Sequence, residues 1–163
     1  MAAPCVPEDA VARQIIARCE ACFDAHRGDC NQFLKAALAD FLATDYFAGL
    51  DADAIVTKLR SPGAGWTATR KITDAIAAAK VGHLVVAGMT AAALRQHHGH
   101  VAVVVGCDGQ ISGTVMVPLG YAGALDNPPA QLRGGRLSGT FDADLVRSEG
   151  LDYYAKPPDR TPA

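Results

Sequence analysis

Near residue 81 the apolar residues of this chain change their spacing, and that change limits what it can fold into. Upstream they recur three and four apart, the pattern of amphipathic helices; downstream they gather into short unbroken runs, the pattern of buried strands. Val11, Ile15, Ile16, Cys19, Cys22 and Phe23 form one stripe of a helix over 11–25, which Arg27-Gly28 breaks. A second helix opens at Asp29 or Cys30 and runs to about 43, its stripe made by Phe33, Leu34, Ala37, Leu38, Phe41 and Leu42. Asp29 suits an N-cap, because its carboxylate can accept from the orphan amides of the first turn. Asp51 caps a shorter third helix through Leu59, and Ser61–Gly65 forms a loop before Trp66, the single tryptophan. An alanine-rich fourth helix spans 69–80. The runs 83–87, 100–105 and 114–117 read as strands, with Leu151–Tyr154 as a fourth. The Gly- and Pro-rich stretch 118–139 stays unassigned, and the polar tail from about 157 is expected to fray. Helices first and strands second imply an α+β fold, N-terminal helices packed on a small antiparallel sheet, in a single domain over 1–163.

Charge narrows the partners. The formal net charge is −2 and the Lys and Arg residues are scattered, so no basic surface is expected for nucleic acid. No apolar run reaches the ~18 residues of a membrane span. Met1 to Asp9 has neither a basic n-region nor an apolar h-region, so the expectation is a chain made in the cytoplasm without a signal peptide. Five cysteines, at 5, 19, 22, 30 and 107, leave at least one thiol free whatever disulfides form.

Cys30 and His100 are the residues placed for chemistry. A cysteine in a helix's first turn feels the positive end of the macrodipole, which favours the nucleophilic thiolate and supplies backbone donors for an oxyanion. His100 opens an apolar strand directly after Gly99 and shares a strand face with Ala102 and Val104, whose small side chains leave room for a group from another element. An imidazole there, facing a helix start, can take the thiol proton. His97 and His98 are expected to be solvated. A third group should orient the imidazole, and Ser112, Thr114, Asp108 and Asp126 are candidates of which none stands out. The competing constellation is Cys19, Cys22, His26 and Cys30 as a zinc set in a binding module; on a straight helix its ends lie about 16 Å apart, too far for one tetrahedral ion unless the break at Gly28 folds them together. There is no phosphate-loop or G-x-S-x-G pattern.

Asp29-Cys30-Asn31-Gln32-Phe33-Leu34 and Gly99-His100-Val101-Ala102-Val103-Val104 together resemble the paired signatures of the NlpC/P60 papain-like cysteine peptidases: a Cys opening a helix with an aromatic at the third following position, then a Gly-His-hydrophobic strand. The chain is more closely similar to the type VI secretion amidase effectors, small toxins that cut peptidoglycan peptide stems. That similarity runs from about Asp29 to Tyr154 and takes in Ala54–Leu59, Trp66, Gly82–Gly88 and Leu151–Tyr154. The resemblance implies Cys30 as nucleophile and His100 as base, a thioester acyl-enzyme, and no cofactor or metal. It implies cleavage of the γ-D-glutamyl–meso-diaminopimelate bond, with the diaminopimelate–D-alanine crosslink or a housekeeping wall hydrolase as alternatives. The implied partners are the peptide stem, a cognate immunity protein and the secretion apparatus, with action in the periplasm of a target bacterium. Some members tie the N-terminus to the C-terminus by a disulfide; here no cysteine follows Cys107 to serve as the C-terminal partner of Cys5.

Overall fold

A computed structural model of the chain describes residues 4–125 and 129–163. Helix α1, Ala10–His26, starts where the Asp9 carboxylate accepts from the Ala12 amide at 2.9 Å. Its stripe of Ala12, Ile15, Cys19 and Phe23 is buried. Helix α2, Cys30–Leu38, begins after one short break, and Asp29 caps it as expected, accepting from the amides of Asn31 and Gln32. The helix ends at Leu38, however, rather than near 43. Beyond it the chain turns so that Phe41, Leu42 and Phe47 all reach the core. Backbone groups that a longer helix would use are bonded by the C-terminal tail instead: Phe41 O accepts from the Asp159 amide at 2.8 Å, and the Ala43 amide donates to the Asp159 carboxylate. The tail expected to fray from 157 is therefore held down, with Arg160 also donating to Ala39 O. Tertiary contacts have overridden helical periodicity here, as they commonly do.

Helix α3, Ala52–Arg60, is capped by Asp51. The expected helix from Thr69 starts later: Thr67–Thr69 forms strand β1, and α4 spans Ile72–Lys80. Strand β2, Leu84–Met89, leads through the short helix α5, Ala91–Leu94, to β3, His100–Val104. Thr114–Val117 was expected to join the main sheet. It supplies β5, Val115–Val117, which pairs only with β4, Gln110–Ser112, in a separate hairpin. The unassigned stretch holds β6, Leu119–Ala122, and β7, Leu132–Arg136, followed by a 3₁₀ turn at Leu137–Gly139. Helix α6, Ala143–Arg147, precedes β8, Tyr153–Lys156, which sits inside the sheet.

The main sheet has six strands in the order β1-β8-β2-β3-β6-β7, every neighbouring pair antiparallel. The molecule is α+β, with helices on both faces of the sheet rather than on one. Alternation along β3 sorts the core. Val101 and Val103 pack with Cys30, Phe33 and Leu34 on the α1–α3 side, whereas Ala102 and Val104 pack with Ile72, Ala75, Phe141 and Val146 on the α4 and α6 side. Burying these two apolar layers, at roughly 25 cal/mol per Å² of apolar surface, is what holds the helices to the sheet. A disulfide joins Cys5 to Cys107, with the Cα atoms 6.0 Å apart, so the partner of Cys5 lies in the segment after β3 rather than at the C-terminus. Among the described residues, no helix is long and apolar enough to cross a membrane.

Candidate active site

The break between α1 and α2 is fixed from outside the helices. The Ala124 amide donates to Arg27 O at 2.9 Å, and Gly123 lies so close to the turn that a Cβ there would come within 2.6 Å of Asp29 O and 2.7 Å of His26 O. Strand β6 thus docks on the backbone that presents Cys30, and only glycine fits the approach. The start of β3 is equally confined. A Cβ on Gly99 would overlap the Asp53 carboxylate and sit 3.0 Å from Met89 O, while Asp53 holds the end of β2 by accepting from the Ala91 amide at 2.8 Å.

These constraints bring Cys30 to the first residues of β3. Its sulfur lies 3.9 Å from Gly99 O, where the thiol donates a weak hydrogen bond, and it also receives the Val101 amide. Cys30 is 7 % exposed and His100 1 % exposed. Both line a cavity of about 280 Å³, whose walls include Arg95, His97, His98 and Leu125. His97 and His98 are exposed at its rim, in keeping with the expected solvated loop.

The imidazole does not face α2, as the sequence suggested. Strand alternation directs it to the other side of the sheet, where it packs edge-on against Phe141 with centroids 4.7 Å apart. Nε2 is 2.7 Å from Thr140 Oγ1, and among the described residues Nδ1 has no hydrogen-bond partner. Sulfur and imidazole therefore meet around the end of a strand, sharing a cavity without a hydrogen bond between them.

Thr140 decides the tautomer. Its hydroxyl is 2.6 Å from Ala130 O, and a carbonyl carries no proton, so the hydroxyl hydrogen must point there. Thr140 can then only accept from His100, which places the imidazole hydrogen on Nε2 and leaves Nδ1 a bare lone pair. A buried, unpaired acceptor of this kind costs of the order of 1–3 kcal/mol unless the site uses it. Of the orienting groups suggested by sequence, those among the described residues do not take this part. Asp108 pairs with Lys80 on the surface, Ser112 and Thr114 belong to the β4–β5 hairpin, and Asp126 lies outside the described residues. Thr140 carries no periodic or motif signal, and its distance of 40 residues from His100 hides it from local reading.

The electrostatics also depart from expectation. Burial pushes the Cys30 thiol up to about 11; the Asp29 carboxylate pushes the same way, against the backbone amides of Val101, Asn31 and Cys30 itself. The helix N-terminus does not win, because its own cap is an anion and the sulfur is shut away from water. Burial alone pulls His100 down to about 4. At neutral pH the pair rests as thiol and neutral imidazole. Of the first-turn amides, those of Asn31 and Gln32 donate to Asp29, while the Cys30 amide faces its own sulfur, where an oxyanion donor belongs.

The zinc set is not assembled. Cys19, Cys22 and His26 follow one another along the unbroken α1; the Cys22 thiol donates to Cys19 O, and Cys30 faces β3. Among the described residues, no group of three or more His, Cys, Asp or Glu side chains could hold a metal. Trp66 lies away from the site and donates to the Tyr46 hydroxyl at 2.8 Å. The sequence matches no protein-family model and no curated protein.

Proposed function

We propose that this chain is a cysteine amidase of NlpC/P60 papain-like type that cuts the peptide stems of peptidoglycan. The observation that carries the reading is the sharing of one cavity by the Cys30 thiol and a buried His100 whose Nδ1 has no partner among the described residues, its tautomer held by Thr140. As a scissile carbonyl enters, the thiol leaves Gly99 O and its proton passes to Nδ1 while sulfur bonds to carbon. The oxyanion is met by the Cys30 amide. Nδ1 then returns the proton to the amide nitrogen as the C–N bond breaks, giving a thioester and a free amine. Water, deprotonated by Nδ1, hydrolyses the thioester and the thiol is restored. Because the resting pair is neutral, proton transfer accompanies attack instead of preceding it.

The bond cleaved is the γ-D-glutamyl–meso-diaminopimelate linkage, following the resemblance of the Cys30 and His100 segments to the secreted amidase effectors. In this reading the chain is a type VI secretion toxin held in check by a cognate immunity protein. A disulfide between Cys5 and Cys107 accords with work in an oxidising periplasm. Incubating purified sacculi with wild type and with Cys30→Ala tests the proposal, muropeptides being identified by mass spectrometry. Wild type should release stems cut after D-glutamate and the variant none; equal release by both, or none by either, ends it.

A further inference from the structure

The cavity that Cys30 and His100 share meets a second, larger one of about 500 Å³ on the far side of the imidazole, where Gln96, His100 and Pro129 border both. The two make a groove with His100 between its halves. Taking the amidase reading as its basis, the chemistry orients a substrate in this groove. Sulfur attacks the carbonyl carbon, and the imidazole must hand a proton to the departing nitrogen, so the amine side of the scissile bond lies on the imidazole side of the sulfur. The cavity bordered by His100 but not by Cys30 is thus the amine-side pocket.

Among the described residues its walls are apolar or neutral apart from His100 and one carboxylate, that of Asp142. The Asp142 side chain is exposed, and one of its oxygens caps α6 by accepting from the Leu145 amide at 3.0 Å. Among the described residues the other oxygen has no partner and no lysine or arginine lines the pocket. An anion on the wall of this amine-side cavity, whose other described groups apart from His100 are uncharged, selects a cation on the residue that occupies it.

We infer that Asp142 determines specificity by pairing with a free side-chain ammonium on the amine-side residue, so that the preferred substrates place a diamino acid with an unmodified distal amine after the scissile bond. The bond between γ-D-glutamate and the diamino acid meets this condition in an uncrosslinked stem. A crosslink does not, because there the distal amine is itself the acylated nitrogen. The pocket therefore favours the first of the two bonds.

The experiment uses the full chain and two soluble peptides, γ-D-glutamyl-meso-diaminopimelate with its distal amine free and the same peptide N-acetylated there. Wild type should cleave the free amine about tenfold faster in kcat/KM, as a charge-assisted pairing of roughly 1.4 kcal/mol requires. In Asp142→Asn, which keeps a side chain able to cap α6, the ratio should fall to about one; in Asp144→Asn, whose carboxylate pairs with Arg147 outside the pocket, it should stay near ten. Equal cleavage of both peptides by wild type overturns the inference and leaves the amidase standing, as does a tenfold ratio that survives Asp142→Asn. Failure of wild type to cleave either peptide, with sacculi also untouched, overturns both.

Discussion

Cys30 and His100 are neighbours in one cavity, yet the molecule holds them by different means. Cys30 is set mainly by its own stretch of chain, a cap one residue before it and an amphipathic stripe after it, with one remote clamp, Gly123 and the Ala124 amide, on the turn that precedes it. His100 is positioned from afar, packed on Phe141 and bonded to Thr140, both beyond the strands that separate them in sequence. A nucleophile with a local cap and stripe keeps more of its place when remote parts of the fold relax. A base whose tautomer depends on one distant hydroxyl does not, and the contrast makes the His100 side the more fragile half.

Replacing either member outright gives the largest effect. Cys30→Ala and His100→Ala should each lower sacculus digestion by 10³-fold or more, with circular dichroism unchanged. The two halves should then part company under acid. His100 ionises near 4 in the folded chain and near 6.5 in the unfolded one, so between these values the unfolded state binds a proton that the native state refuses. Stability present above pH 6.5 is lost as pH falls toward 4, by up to roughly 3 kcal/mol. Denaturant titrations at pH 7 and pH 4 should show this loss, and it should be smaller by that amount in His100→Gln. An identical acid loss in the two proteins would mean that the imidazole is not held neutral.

Thr140→Val comes next. It strips the partner from Nε2 and releases the Nδ1–H tautomer, which cannot accept the thiol proton. kcat should drop about 10- to 100-fold with KM little changed, and Thr140→Ser should restore it. A uniform loss in Thr140→Val that serine does not rescue would reduce Thr140 to packing. The smallest effect belongs to the Cys30 side. Asp29→Asn keeps a competent cap while removing the anion that raises the thiol, so the pH midpoint for alkylation of Cys30 should move down from about 11. An unmoved midpoint would assign the whole shift to burial.

The same division sets what the sequence could reveal. Helices α1 and α3, the cap at Asp29 and the strands bearing Val86 and Val103 were legible because each follows from residues within a few positions. The end of α2 was not, since Asp159 and Arg160 arrive at Phe41 from the other end of the chain. Nor were β6 and β7: their glycines carry no alternation, and they are strands because β3 gives β6 an edge to pair with and β6 in turn gives one to β7. Strand parity did place His100 with Ala102 and Val104, but which face met α2 depended on how the whole sheet was covered, and Val101 and Val103 took that face. The depressed imidazole and raised thiol were likewise hidden, because burial is a property of the assembled fold.

The bond between Cys5 and Cys107 closes a ring of chain that contains both Cys30 and His100. A pull on the N-terminus therefore does not begin by peeling α1 away; the load passes straight to the segment after β3 and the strand pairing of β3 with β2, and the ring itself stays closed while the bond lasts. With the bond reduced, the same tug meets first the hydrogen bonds of Asp9 and Arg13 at the start of α1 and then the buried stripe of that helix. Oxidised, the chain resists being threaded end-first into a narrow pore; reduced, it unravels from its first residues.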